Sequence, residues 1–404
     1  MNILTFSSLY PNLVQPIHGI FVENRLRQLI AYGGVTSRVV APRPWFFSGR
    51  PVFGSYAKYA QIPRREIRQG VVVEHPAYLV FPKISMTTQP FSMYLSARLA
   101  VKRILASGFD FKLIDAHYFY PDGIAAVLLG REFGRPVCIT ARGTDINVYP
   151  NYRLPRRLIL WAARRAAALV TVSEGLKDNL VRLGIPGNRI NVLRNGVDLG
   201  LFRPRDRAAA RARLNLKGTT LLSVGNLVPA KGHELLIRAA VSLPDARVLI
   251  VGQGPQADSL RALARQLNVA DRVSLLGALP HEELPEIYSA SDVLVLASER
   301  EGWPNVLLEA MACGTPVVST AVSGATELIT CREAGLLLRE RTPESVVGCV
   351  RALLTAPSER RLTRAHAENF SWERTSRGQL EVFTGILDAS RARAPGMRRE
   401  ELSY

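Results

Sequence analysis

The chain has 404 residues, of which 47% are hydrophobic, so it is long enough to form two cores of ordinary size. No run approaches about 18 uninterrupted apolar residues, which excludes a transmembrane helix, and we expect no signal peptide because the first residues lack a basic leader. The formal net charge of +18 lies mostly in residues 1–200, where 26 Lys and Arg residues stand against 11 Asp and Glu residues.

The positive charge of residues 1–200 indicates which classes of binding partner the protein could have. Such a charge attracts nucleic acid, phosphorylated small molecules or an anionic membrane surface. Because the sequence has no zinc-finger spacing, basic zipper or RNP aromatic signature, we expect no nucleic acid and favour the other two. The cysteines lack the close spacing of metal sites and disulfide frameworks, so we expect reduced thiols in a cytoplasmic protein. They are Cys138, Cys313, Cys331 and Cys349.

Short apolar runs alternate with amphipathic stretches through the first half of the chain. The predicted strands are Ile3–Phe6, Arg38–Ala41, Val71–Glu74, Leu113–Ala116, Val137–Thr140, Leu169–Val172 and Ile190–Leu193. The predicted helices between them include Phe21–Tyr32, Ser92–Ala106 and Asp122–Phe133. This alternation predicts a parallel sheet with helices on both faces.

The second half repeats the pattern. Its predicted strands are Thr220–Val224, Ala246–Val251, Val273–Leu276, Val293–Ala297, Val317–Ser319 and Leu336–Leu338, and helices are predicted to begin near Gly232, Gln256, Pro304 and Pro343. Turn signals at Asn195-Gly196 and Pro204 indicate a linker between the halves. We therefore predict an α/β protein of two Rossmann-like, doubly wound domains facing a cleft, with ligands at the carboxyl ends of the strands.

Two carboxylates flank a predicted helix start after the strand at Val293–Ala297. Pro304 suits the first position of that helix, and Gly314 suits the position just beyond its end. The helix N-terminus suits a diphosphate, and Glu301 and Glu309 would accept hydrogen bonds from sugar and ribose hydroxyls. On spacing alone, an equal alternative is that Glu301 only complements the helix dipole and Glu309 is solvated.

This segment resembles the signature of family 4 glycosyltransferases, which are retaining enzymes with the GT-B fold. It reads Glu-Gly-Trp-Pro-Asn-x3-Glu-Ala-Met-Ala-x-Gly-Thr-Pro-Val-Val, from Glu301 through Val318. The resemblance implies that Glu301 contacts the donor sugar and Glu309 the nucleotide ribose. Gly302, Trp303, Pro304 and Asn305 would then lie at the diphosphate. It also implies an acceptor-binding domain at 1–195, a donor-binding domain at 196–370, and a helix at 371–390 that packs back on the first domain. The polar tail at 391–404 is predicted to be loose.

Glycine turns after other strands resemble the donor-binding loops of the same family. Gly225 allows close approach of the backbone, and Lys231 is a candidate cation for the diphosphate. Asn226 stands where the family usually has an arginine. Three more donor-binding glycines are predicted, although such turns alone are weak signals: Gly252, Gly254 and Gly277. The loop at 323–327 resembles a further donor-side loop.

Polar positions in the first half follow strands in the same way. The resemblance implies that Gly19, in His18-Gly19, allows the backbone to approach the acceptor and the donor phosphate. His117, which follows Asp115, is either packed and hydrogen-bonded or faces the site. Arg142 stands three residues before Asp145, where the family commonly has a histidine near the reacting sugar. We expect Arg142 to supply the cation lost at position 226, and a structural arginine paired with Asp145 or another neighbour is an equal alternative.

The stretch at 153–165 combines arginine pairs with Leu, Ile and Trp residues. A basic helix with an aromatic anchor suits a membrane interface. Ordinary packing, with the apolar side on the sheet and the arginines in solvent, is the favoured alternative.

Together with the resemblance, these observations predict a hexosyltransferase with Glu301, Lys231, Arg142 and Asp145 as catalytic residues. The resemblance implies that the enzyme retains the anomeric configuration. It would use a nucleoside-diphosphate sugar as co-substrate, with no metal or other cofactor, since no Asp-x-Asp occurs. The expected acceptor is a glycan or a polyprenyl-diphosphate-linked saccharide of cell-surface polysaccharide biosynthesis, at the inner face of the cytoplasmic membrane. The alternatives are a GT-B sugar-nucleotide epimerase and a non-catalytic nucleotide-sugar-binding protein. An NAD oxidoreductase is disfavoured, because neither half has Gly-x-Gly-x-x-Gly with an acid about 20 residues later.

Overall fold

A computed structural model describes residues 1–80 and 85–393, which divide into two compact units. The first unit consists of Met1–Thr171, Leu180–Asn191 and residues from 376 onward, and the second of Val172–Asn179 and Val192–Thr375. The segment Val172–Asn179 groups with the second unit, where the backbone N–H of Glu174 donates to the Glu327 carboxylate at 2.8 Å. The sequence predicts a loose tail from residue 391, but residues 391–393 belong to the last helix. From residue 394 onward the tail lies outside the described residues.

The main sheet of the first unit has eight strands in the order β10-β9-β8-β7-β1-β2-β5-β4. Strands β1 and β7 pair in parallel at its centre, and β4 pairs antiparallel with β5. Strands β3 and β6 form a separate two-stranded sheet. In chain order the strands are β1 (Asn2–Phe6), β2 (Thr36–Val40), β3 (Arg43–Pro44), β4 (Arg65–Arg68), β5 (Val71–Glu74), β6 (Ala77–Tyr78), β7 (Leu113–His117), β8 (Val137–Ala141), β9 (Ala168–Thr171) and β10 (Ile190–Val192).

Helices connect these strands, and their apolar sides are buried. Ile3, Leu113 and Ile139 on the central strands are fully buried, as expected for strands that are covered on both faces. The helices are α1 (Ile20–Tyr32), α2 (Ala57–Gln61), α3 (Ser85–Ala106), α4 (Ile124–Phe133), α5 (Thr144–Asn147), α6 (Arg153–Arg165) and α7 (Glu174–Arg182), the last of which begins in the second unit and ends in the first.

The second unit has a six-stranded, fully parallel sheet in the order β13-β12-β11-β14-β15-β16. Its core is built from the buried aliphatic side chains of these strands and their covering helices, among them Val248, Val295 and Val350. The strands are β11 (Thr219–Val224), β12 (Ala246–Val251), β13 (Val273–Gly277), β14 (Val293–Leu296), β15 (Val317–Thr320) and β16 (Gly335–Leu338). The helices are α8 (Arg207–Arg213), α9 (His233–Ala239), α10 (Ala257–Gln266), α11 (Leu284–Ala290), α12 (Asn305–Ala312), α13 (Ala325–Leu328), α14 (Pro343–Thr355), α15 (Arg360–Glu368) and α16 (Trp372–Arg393), the last of which continues into the first unit.

The predicted strands are all present, with bounds that differ by at most two residues. Helix α3 begins at Ser85 rather than at Ser92, so it has about two additional turns that lack apolar periodicity. Within them, Gln89 Nε2 donates to the Tyr78 hydroxyl at 2.9 Å. Pro304 is the residue before α12 rather than its first helical residue, a difference within the usual uncertainty of helix ends. No helix in the described part of the chain is long and apolar enough to cross a membrane.

Candidate functional site

Three glycine turns lie together at the carboxyl edge of the second unit's sheet. Strands β11, β12 and β13 are neighbours, so the loops that follow them meet at one edge. The Gly225 N–H donates to the Val251 carbonyl (2.9 Å), and the Gly252 N–H donates to the Gly277 carbonyl (2.7 Å). A Cβ on Gly252, which has a φ of +150°, would overlap the Gly225 carbonyl oxygen. The close approach of these turns therefore requires glycine at position 252.

Lys231 and Glu301 form an ion pair at the same edge of the sheet. Lys231 follows β11 and Glu301 follows the adjacent strand β14, and their Nζ and Oε1 atoms are 2.5 Å apart. Gly232 sets this approach, because a Cβ at its φ of +69° would overlap the carbonyl oxygen of Ala297 at the end of β14. The side chains are 26% and 12% exposed, so the pair is accessible from solvent without being fully hydrated.

A buried histidine supports the loop that carries Asn226. His233 Nε2 lies 3.2 Å from the Asn226 carbonyl oxygen, and its Nδ1 lies 2.9 Å from the Ser223 hydroxyl oxygen. Because a carbonyl only accepts, Nε2 carries the proton and the Ser223 hydroxyl donates to Nδ1. Burial lowers the pKa of His233, which keeps the ring neutral in this role. Asn226 itself is exposed on this loop.

The segment Gly302–Pro304 is buried just before α12. The loop at Gly324 packs closely against it: a Cβ on Gly324, whose φ is +75°, would lie 2.9 Å from Pro304 Cδ and 3.0 Å from the Gly302 carbonyl oxygen. The Oδ1 atom of Asn305 accepts a hydrogen bond from Asn195 at 3.2 Å. Contacts from two other loops therefore hold the start of α12 in place.

Glu309 is held in a defined orientation. Its Oε2 accepts a hydrogen bond from the Tyr288 hydroxyl at 2.8 Å, and its Oε1 lies 3.4 Å from His281 Nε2. Burial lowers the pKa of His281, but the hydrogen bond and charge of Glu309 outweigh it, so the pKa is raised. The Glu309 side chain is only 12% exposed, so the alternative of a solvated carboxylate is wrong.

In the first unit, Gly19 immediately precedes α1 with a left-handed φ of +70°. A Cβ at this position would overlap the backbone of Leu9, in the loop after β1. Glycine is therefore required for α1 to begin so close to the loop that follows β1, and the approach of this backbone to a phosphate stays a prediction.

Asp145 organises the loops that follow β7 and β8. Its carboxylate accepts hydrogen bonds from the backbone N–H groups of Phe119 (2.8 Å), Gly143 (2.7 Å) and Arg142 (3.1 Å). Burial raises the pKa of Asp145, and these backbone bonds oppose the rise. Asp145 is fully buried, so the structure supports a role in shaping this loop.

Arg142 points its guanidinium at His117. The Nη2 atom lies 2.6 Å from His117 Nδ1, and the guanidinium carbon lies 5.6 Å from the ring centre of Phe21. Burial and the charge of Arg25 lower the pKa of Arg142. Of the two alternatives for His117, the structure therefore supports a packed, hydrogen-bonded side chain rather than one that faces the site.

The predicted site residues fall in both units. The second unit brings together the three glycine turns, Lys231 and Glu301, whereas Gly19, Arg142 and Asp145 belong to the first. Sequence reasoning missed the partners of these groups: His233, Tyr288, His281 and Gln379. Tyr288 and His281 carry no local signal, because they reach Glu309 from 21 and 28 residues away.

Two family models match the chain. The model described as Glycosyltransferase Family 4 matches residues 22–201, and the model described as Glycosyl transferases group 1 matches residues 204–370.

Curated relatives include proteins named as glycosyltransferases. A Bacillus subtilis (strain 168) protein, provisionally named as the teichuronic acid biosynthesis glycosyltransferase TuaC, is 30% identical over 357 residues, or 87% of this chain and 88% of that protein. The D-inositol 3-phosphate glycosyltransferase of Rhodococcus jostii (strain RHA1) is 39% identical over 234 residues, or 53% of this chain and 52% of that protein. The chain thus spans about half the length of the D-inositol 3-phosphate glycosyltransferases among its first matches.

Solved structures share the fold over nearly the whole chain. Sucrose-phosphate synthase (tll1590) from Thermosynechococcus elongatus has a TM-score of 0.78 at 21% identity, covering 96% of this chain and 100% of that chain. Anabaena Alr3699/HepE in complex with UDP has a TM-score of 0.71 at 19% identity, covering 95% and 100%. The predicted two-domain α/β fold is confirmed. Together with the family models and the TuaC relative, which aligns over most of both sequences, this fold shows that the chain is a glycosyltransferase of family 4 with the GT-B fold.

Proposed function

We propose that this glycosyltransferase moves a hexose-type sugar from a nucleoside-diphosphate sugar to a glycan or polyprenyl-diphosphate-linked saccharide, with retention of the anomeric configuration. The observation that carries the proposal is the Lys231–Glu301 ion pair at the sheet edge that also holds the turns at Gly225, Gly252 and Gly277. Backbone that approaches closely beside a cation suits a diphosphate, and a carboxylate beside it suits sugar hydroxyls.

The main catalytic effect expected of such a site is stabilisation of the negative charge that develops on the departing diphosphate. Breaking the bond to the anomeric carbon leaves negative charge on the nucleoside diphosphate, and positioned cations stabilise that charge. In this proposal the Lys231 ammonium group gives up part of its interaction with Glu301 and binds the diphosphate. The Glu301 carboxylate then accepts hydrogen bonds from hydroxyl groups of the donor sugar. Arg142 is the further cation, and Asp145 holds the loop that carries it. No metal or other cofactor is needed in this scheme.

Glu309 is the proposed ribose contact. The Tyr288 hydroxyl occupies one of its oxygens at 2.8 Å and fixes the orientation of the carboxylate. Carboxylate oxygens have further lone pairs, so the two ribose hydroxyls would add to this arrangement rather than replace Tyr288.

The names of similar proteins are consistent with this substrate class. HepE structures contain UDP, or UDP-glucose, and the TuaC name refers to teichuronic acid biosynthesis. We extend this to a role in cell-surface polysaccharide biosynthesis at the inner face of the cytoplasmic membrane. The excess of positive charge in residues 1–200 suits an anionic acceptor.

The surface of the first unit supports a peripheral membrane contact. Trp45, Phe47 and Tyr56 are 52%, 64% and 61% exposed. The helix α6 buries Ile159 and Ala162 but leaves its arginine pairs in solvent, so ordinary packing and a basic outer face coexist. Exposed aromatic side chains and exposed basic ones on the same unit suit an anionic bilayer surface. We expect sedimentation with anionic vesicles but not with neutral ones, and loss of binding in Phe47→Ser; equal binding to both vesicle types would contradict this contact.

The donor assignment is tested by a thermal-shift screen of UDP, GDP, ADP and their sugar conjugates. We expect one nucleotide series to raise the melting temperature of the wild type, and Glu309→Gln to abolish most of that shift because the ribose loses its charged acceptor. Glu344→Gln, an exposed position at the start of α14, is the matched control and should keep the full shift. No shift with any nucleotide at millimolar concentration would contradict the donor site.

Transfer itself is tested with the donor that this screen identifies. A strict requirement for an acceptor supports transfer, whereas conversion of the donor alone would indicate the epimerase alternative. Binding with no turnover in the presence of lipid-linked and glycan acceptors would indicate a nucleotide-sugar-binding protein. The anomeric configuration of the product, read by NMR, distinguishes retention from inversion.

A further inference from the structure

A continuous line of hydrogen bonds runs through the interior of the first unit, from Arg142 to the C-terminal helix α16. Arg142 Nη2 lies 2.6 Å from His117 Nδ1, and His117 Nε2 lies 3.1 Å from Asp115 Oδ2. The Gln379 side-chain nitrogen lies 3.2 Å from the same Asp115 oxygen. At the far end, Arg25 Nε donates to Gln379 Oε1 at 2.6 Å.

All five side chains are buried. Arg142 is 8% exposed, and Arg25, Asp115, His117 and Gln379 are each 2% exposed or less. Polar groups removed from water are costly unless they are hydrogen-bonded, so each bond along this line favours the observed orientation of the two side chains that it joins. Two guanidinium groups and one carboxylate meet here around a histidine, with the Asp145 carboxylate bonded to the Arg142 backbone N–H.

Donor and acceptor roles along this line are determined by the chemistry of its ends. Arginine only donates, so His117 Nδ1 must accept from Arg142, and the proton of the neutral ring therefore sits on Nε2. That N–H donates to Asp115, which also accepts from the Gln379 amide. Burial lowers the pKa of His117 to about 4, with the charge of Arg142 contributing, and together they outweigh the charge of Asp115. His117 is therefore neutral near pH 7 and able to accept.

We propose that Gln379, Asp115 and His117 form a positioning relay that fixes the orientation of the Arg142 guanidinium during sugar transfer. Gln379 acts as a positioning residue: its amide orients the Asp115 carboxylate, which selects the Nε2–H tautomer of His117. That tautomer presents a lone pair to Arg142. The relay rests on the proposed function, in which Arg142 stabilises charge on the departing diphosphate. A cation displaced from its working geometry loses much of its effect on the transition state.

The substitution Gln379→Glu tests the relay at one atom. It replaces the donating NH2 group with an oxygen of similar size, which keeps an acceptor for Arg25 and, in the ionised form of the new carboxyl group, removes the donor to Asp115. We expect kcat to fall by about 10- to 100-fold while the KM for the donor changes by less than about threefold, since the lost contact acts on orientation. Glu381→Gln, exposed on the same helix, is the matched control and should leave both constants unchanged.

A double-mutant comparison separates positioning from general destabilisation. If Gln379 acts through Arg142, Gln379→Glu should have no further effect on kcat in the Arg142→Ala background. A multiplicative loss of kcat in the double variant, or a wild-type kcat in Gln379→Glu alone, would overturn the relay. Circular dichroism and the melting temperature of each variant verify that the compared proteins are folded.

A spectroscopic readout does not depend on turnover. In protein labelled with 15N-histidine, His117 is assigned by the signal that is lost in His117→Gln, and we expect a neutral Nε2–H tautomer near pH 7. Gln379→Glu should shift the His117 signals, whereas Glu381→Gln should not. A His117 protonated at Nδ1, or signals that do not change in Gln379→Glu, would overturn the relay whatever the activity. Absence of sugar transfer by the wild type, with the expected tautomer present, would instead refute the proposed function.

Discussion

Replacing His117 with glutamine should change how the stability of the first unit depends on pH. In the folded protein, burial lowers the pKa of His117 to about 4, against an ordinary value of 6.5. Between these two values the unfolded chain binds a proton that the folded chain does not, so the contribution of His117 to stability rises with pH. From pH 5 to pH 7 this contribution grows by about 2 kcal/mol.

Asp122 opposes this trend over the same interval. Burial raises its pKa to about 7, from an ordinary value of 3.8, despite the hydrogen bonds from the backbone N–H and hydroxyl of Ser8. Here the folded state binds the extra proton, so stability falls as pH rises, by about 2 kcal/mol between pH 5 and pH 7. We expect the two contributions largely to cancel in the wild type.

Urea unfolding between pH 5 and pH 7.5 is the assay, with each variant compared with the wild type at every pH. His117→Gln removes only the rising contribution, so its stability relative to the wild type should increase by about 2 kcal/mol as the pH falls from 7 to 5. Asp122→Asn should show the opposite slope. Because the chain has two units, its unfolding curve can contain two transitions. The free energies of unfolding are compared for the transition that these substitutions shift. A difference between His117→Gln and the wild type that stays constant over this range would refute the buried, neutral histidine.

Two further predictions concern the second unit. Gly252→Ala should destabilise it by about 3 kcal/mol or more in urea unfolding, because the new Cβ would overlap the Gly225 carbonyl oxygen. Gly348→Ala, in a helix interior with open space around it, is the control and should stabilise the unit by about 0.5–1 kcal/mol. Equal effects of the two substitutions would contradict the close turn. Lys231→Ala should lower kcat/KM for sugar transfer by about 100-fold while changing the free energy of unfolding by only about 1 kcal/mol, and Lys217→Ala at an exposed position should leave both unchanged. A wild-type kcat/KM in Lys231→Ala would refute its role at the diphosphate.

Local pattern was a sufficient guide to the parallel strands of the two main sheets and to the order of the motifs, but it did not predict β3, β4 or β6. Buried parallel strands are short apolar runs bounded by turn residues, so a segment such as Ala246–Val251 stands out without any tertiary information. Helix ends were predicted less well. The first turns of α3 have no apolar periodicity, and they make tertiary contacts, such as that between Gln89 and Tyr78, that the sequence does not reveal. The short strand β4 is polar, and it exists because β5 offers it a partner.

The sequence by itself determined which chemistry is available: the spacing of Glu301 and Glu309, the glycines that must follow strands, and an arginine where a histidine was expected. Each of these follows from residue type and local order. Only the tertiary structure decided which groups meet, such as Lys231 with Glu301 across 70 residues and Gln379 with Asp115 across 264. The reason is physical: hydrogen bonds act over about 3 Å, and sheet order and helix packing, not distance along the chain, bring two side chains that close.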